Sequence, residues 1–111
     1  MKVFLLLAIT VWSLSGFAQT SAQAEELSRK IAKRMKDTLD LTADQQQAIF
    51  QVNMQLFNQK QAARQQYTNT DSLRSALQRI ENSRDSLYNT LMPVEKYLMY
   101  RNRKRYLVTN N

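Results

Sequence analysis

The sequence predicts an all-α fold of four short helices. Three observations carry that expectation. The 111 residues contain one glycine, Gly16, and one proline, Pro93, the two strongest helix breakers. Gln, Leu, Ala, Lys and Arg, all good helix formers, dominate the chain beyond residue 18. Apolar residues recur at three- and four-residue intervals, and the two-residue alternation of a strand is sustained nowhere.

The first segment reads as an address. Met1-Lys2 gives a short positive start, and Val3 to Leu14 is an apolar run. Ser15-Gly16-Phe17-Ala18 then places small residues for a cut after Ala18, the three-part pattern of a secretory signal peptide. As a helix the apolar run spans only about 18 Å, against about 30 Å for a hydrocarbon core. The expected division is therefore a cleaved leader over 1–18 and one helical domain over 19–111. The domain is expected to be exported, and no membrane-spanning segment is expected after cleavage.

The first helix of the domain is expected from about Ala24 to Leu39, with Leu27, Ile31, Met35 and Leu39 on one stripe and Lys30, Lys33, Arg34 and Lys36 on the surface. Asp40-Leu41 breaks it. Thr42 and Gln45 have the spacing of a capping box, in which hydroxyl and amide each take the other residue's backbone N–H. The second helix follows to about Tyr67. Ile49, Val52, Leu56 and Ala63 form its main stripe, with Phe50, Met54 and Phe57 beside it. So wide an apolar arc asks for more than one neighbour.

Thr68 to Asp71 is a turn with an N-cap at Asn69, Thr70 or Asp71. The third helix carries Leu73, Leu77, Ile80, Leu87 and Leu91, a near-heptad seam interrupted at Arg84. Pro93 stops it and suits the first position of a fourth helix, with Glu95 in the first turn. The fourth helix has five basic residues and no acid from Lys96 to Arg105.

Composition narrows the chemistry. Histidine and cysteine are absent, which removes His-based triads, thiol nucleophiles and the commonest transition-metal ligands. One glycine cannot build a phosphate-cradling loop. The chain is not expected to be an enzyme, and no catalytic residues, metal or cofactor are assigned. With 16 Lys+Arg against 9 Asp+Glu the net charge is +7. An exported basic protein meets acidic proteins, lipids or polysaccharides rather than nucleic acid.

Leu41-Thr42-Ala43-Asp44-Gln45 matches the LTXXQ motif and resembles the Spy/CpxP family of small periplasmic proteins of Gram-negative bacteria. Ile80 to Tyr100, with Tyr88-Asn89-Thr90-Leu91 and then a helix start at Pro93, resembles the family's second motif region. The likeness covers roughly Arg34 to Arg105. Two positions depart from it: Met92 stands where the family prefers threonine, and Glu95 falls one place before the usual glutamine. The resemblance implies an elongated, antiparallel, cradle-like homodimer. It implies an ATP-independent stress-response chaperone that binds unfolded or partly folded envelope proteins and limits their aggregation. The alternative it implies is an envelope-stress regulator or adaptor with one dedicated partner, such as a sensor domain. Leu41, Thr42, Gln45, Leu91, Pro93 and Glu95 are the motif and capping residues.

A broad, weak binding surface favours residues that repack and cations that pair with acidic segments. The candidates for client contact are Lys30, Arg34, Met35, Phe50, Met54, Phe57, Arg101 and Arg105. Each apolar one competes with a role in the core or in a dimer seam, because both use the same spacing.

Overall fold

A computed structural model describes the backbone of residues 2–108 and the side chains of residues 21–108. Four helices follow in order: α1 (Lys2–Leu39), α2 (Ala43–Gln66), α3 (Thr70–Asn89) and α4 (Val94–Leu107). The fold is all-α, as the composition predicts. α1 begins far upstream of the expected Ala24: no proline interrupts the residues before it, and an interior glycine costs only about 1 kcal/mol. The expected leader over 1–18 falls where side chains lie outside the described residues. No helix among the described residues is long and apolar enough to cross a membrane.

α1 ends in a Schellman turn. Asp40 takes φ 56°, and the Leu41 N–H reaches back to the Lys36 carbonyl at 3.1 Å. Leu41, the residue after the left-handed one, is buried and supplies the apolar contact of that motif. Thr42 caps α2 as the spacing predicts. The Gln45 N–H donates to Thr42 Oγ1 at 3.1 Å, and the Thr42 N–H donates to Gln45 Oε1 at 2.8 Å. Asn69 caps α3, its Oδ1 accepting from the Asp71 and Ser72 N–H groups.

Two boundaries differ from expectation. α3 stops at Asn89, so Leu91 lies in the following turn, where its N–H bonds the Tyr88 carbonyl at 2.9 Å. Pro93 stands one place earlier than expected, at the N-cap of α4, with extended backbone (ψ 157°) and no side-chain cap. Glu95 remains in the first turn.

α2 is the central helix, packing on α1 and α3, while α4 packs on α1 and to a lesser extent on α3. The core joins Ile31, Ala32, Met35 and Leu39 of α1, Leu41, Ile49, Val52 and Leu56 around α2, and Tyr88, Met92, Tyr100 and Leu107 from α3 onward. Tyr88 and Tyr100 meet edge-to-face at 5.0 Å.

α1 and α4 hold each other by their ends. Lys96 Nζ, in the first turn of α4, donates to the Leu39 carbonyl at 2.6 Å. Arg34 Nη1 donates to the Tyr106 carbonyl at 2.8 Å and lies near the Leu107 carbonyl at 3.4 Å. The two helices therefore run antiparallel, and each sends a cation to carbonyls that the other helix leaves without an intrahelical donor.

Candidate functional site

The heptad seam of α3 breaks at Arg84, and the structure makes that break the centre of a polar network. Arg84 is buried, as are Asn53 of α2 and Ser28 of α1. Arg84 Nη1 donates to Asn53 Oδ1 and to the Tyr88 hydroxyl, both at 2.9 Å. The Tyr88 hydroxyl also donates to Asn53 Oδ1. Asn53 Nδ2 donates to the Ser28 carbonyl at 3.0 Å. On its outer side, Arg84 Nε donates to Glu81 Oε2 at 2.6 Å, and Lys60 Nζ donates to Glu81 Oε1 at 2.6 Å. Five side chains thus tie α1, α2 and α3 together. Every buried side-chain nitrogen and oxygen among the described residues has a partner.

The charges in this network are fixed. Burial alone would raise the Glu81 carboxyl, but the hydrogen bonds and charges of Arg84 and Lys60 outweigh it and hold the group below the ordinary carboxylate range. Burial works against the Arg84 guanidinium too, and Glu81 more than compensates, so it stays charged. Burial pushes the Tyr88 hydroxyl up. A second group forms between α3 and α4, where Asp85 accepts from the Tyr100 hydroxyl at 2.8 Å and pairs with Lys104 at 3.0 Å. Burial opposes ionisation of Asp85, and these partners overcome it. Neither carboxylate is poised to exchange a proton near neutrality, and no cluster of metal-ligating side chains occurs among the described residues.

A groove of about 620 Å³ runs above the network. Ala24, Leu27 and Ile31 of α1 and Phe57 of α2 form its apolar wall, and Lys60, Arg64 and Arg84 its cationic side. The arrangement offers apolar burial beside positive charge, which is a binding geometry.

The client-contact candidates scatter. Met35 is fully buried in the core and does not present a surface. Its place on the α1 stripe explains this: the stripe residues Ile31, Met35 and Leu39 all face inward. Phe50, Met54 and Phe57 lie half-buried along one flank of α2, with the Arg29 guanidinium 5.2 Å from the Phe50 ring. Phe57 lines the groove. Lys30 is exposed on α1. Arg34 is engaged with the end of α4, and its guanidinium also lies 5.6 Å from the Tyr106 ring. Arg101 and Arg105 are exposed on α4, which does not pack on α2, so the candidates form two separate sets.

Sequence reasoning missed Asn53, Lys60 and Glu81. The interruption at Arg84 was the one signal pointing to them. Searches against family models, curated proteins and solved structures return no match.

Proposed function

We propose that this protein is an ATP-independent periplasmic chaperone that holds unfolded or partly folded exported proteins and limits their aggregation. The observation that carries the reading is the groove in which Ala24, Leu27, Ile31 and Phe57 stand beside Lys60, Arg64 and Arg84. Unfolded chains expose apolar side chains interspersed with acids, and this surface meets both. The polar network under the groove stiffens its base, while the rim is open to segments of different shape. The LTXXQ-type start at Leu41 to Gln45 and the leader-like first segment favour the same reading. A homodimer that extends the groove into a cradle belongs to it as well.

The test is aggregation of two unrelated unfolded clients without ATP, followed by light scattering at low and high salt. Suppression of both near equimolar ratio, weakened by Phe57→Ser, supports the proposal. Loss of suppression at high salt assigns the larger part to the basic side chains rather than to the apolar wall. Failure to suppress either client removes the chaperone reading and leaves a dedicated envelope partner, sought by pull-down.

A further inference from the structure

Four large apolar side chains stand exposed among the described residues: Val94, Leu98, Met99 and Tyr106, at 71%, 57%, 39% and 62%. All four belong to α4, a helix of 14 residues. At 100° per residue Val94, Leu98, Arg101 and Arg105 fall on one stripe, spaced by four, three and four. Tyr106, Met99 and Arg103 lie about 80–140° round the helix from Leu98, toward the other edge of the exposed arc. The opposite side of the helix is spent on the fold: Tyr100 and Leu107 enter the core, Lys96 caps α1, and Lys104 pairs with Asp85.

We propose that α4 is an interfacial helix that seats this protein on a bilayer surface carrying anionic lipids. Its outward side is convex and about 20 Å long. Such a surface suits a deformable medium better than a rigid cleft. Apolar side chains with arginines among them match the boundary between headgroups and acyl chains, where Leu and Met enter the apolar layer and long arginines keep their charge at the phosphates. Tyrosine prefers that same level, and Arg34 packs against the ring of Tyr106, which stays outward. Charge complementarity selects anionic lipid: Arg103 and Arg105 are exposed, Arg101 lies 3.8 Å from Asp85, and Glu95 is the one acid on the helix. A second copy on this face would add the same arginines to the seam with only another Glu95 to offset them. This inference is independent of the groove between α1, α2 and α3.

The experiment is vesicle co-sedimentation of the full chain, with phosphatidylcholine vesicles and with phosphatidylcholine–phosphatidylglycerol vesicles. Three forms are compared: the unsubstituted chain, Arg103→Gln/Arg105→Gln, and Leu98→Ser/Tyr106→Ser. All four positions are exposed, so circular dichroism should show unchanged helix content. The expected result is preference for the anionic vesicles, falling about tenfold or more in the arginine variant at moderate salt and clearly in the apolar variant. The apolar segment near the start of the chain would bind both vesicle types and would be indifferent to α4, so the comparison isolates α4. Binding that neither variant lowers, whichever vesicles it favours, overturns the proposal. So does binding to polyglutamate that matches vesicle binding and ignores Leu98→Ser/Tyr106→Ser, which makes the partner a soluble polyanion. A dimer that Leu98→Ser/Tyr106→Ser converts to monomer overturns it too, by assigning the face to self-association.

Discussion

Arg84 of α3 donates to the amide oxygen of Asn53 of α2 at 2.9 Å, with both residues buried. A guanidinium inside so thin a fold is costly unless its donors are met, and here Asn53, Tyr88 and Glu81 meet them. The bond also places a charge directly beneath the groove. Arg84→Ala should destabilise the fold by about 3 kcal/mol, since it leaves Asn53 and Glu81 short of partners. Arg84→Lys should recover little, because an ammonium cannot span the same acceptors. Urea unfolding of the two variants checks both expectations.

The α1–α2 junction makes opposite predictions at Asp40 and Thr42, two positions apart. Thr42→Ala removes one arm of the capping box and should cost about 1 kcal/mol. Asp40→Gly should stabilise, by about 0.5–1 kcal/mol, because Asp40 holds φ 56° where a β-carbon is unfavourable. Thermal melts of the two single variants distinguish them by sign.

Stability should be level across neutral pH and fall at both extremes. Glu81 and Asp85 have folded-state values below their ordinary 4.5 and 3.8. Their contribution is present above those ordinary values and is lost as pH falls through the lowered folded ones. Tyr88 and Tyr100 are raised above 10.0, both chiefly by burial and Tyr100 also by its bond to Asp85. Their contribution is complete below 10.0 and is lost as pH rises from there through the raised folded values. With no histidine, no side chain has an ordinary value between these limbs. Tyr100→Phe should soften the alkaline limb. Denaturant midpoints measured against pH test the profile.

Met35 and Met54 look alike in sequence and should behave differently. Met35→Ala opens a cavity in the core and should cost about 2–5 kcal/mol. Met54, half-buried on the flank of α2, should cost well under half as much. Chemical denaturation of each variant separates the two.

These contrasts mark what was legible in the sequence. The cap at Thr42 and Gln45 was, because its partners are three residues apart and nothing distant is needed. The helices were, because glycine is nearly absent and the apolar period is regular. The direction of Met35 was not, since an apolar stripe reads the same whether it faces a core or a partner. Asn53 was hidden for a different reason: its role depends on the Ser28 carbonyl, 25 residues earlier, and on Arg84, 31 later. The site is a product of three helices meeting, and no local window contains it.

The exchange of cations between α1 and α4 also sets the order of assembly. Lys96 and Leu39 are 57 positions apart, and Arg34 and Tyr106 are 72. Loops of that length close only after the intervening helices have shortened them. Of the two α1–α4 contacts, the one made by Arg34 stays open during synthesis until residues 106 and 107 have been added. The α1–α4 contact therefore completes late, after the α1–α2 and α2–α3 pairs, whose partners are adjacent along the chain.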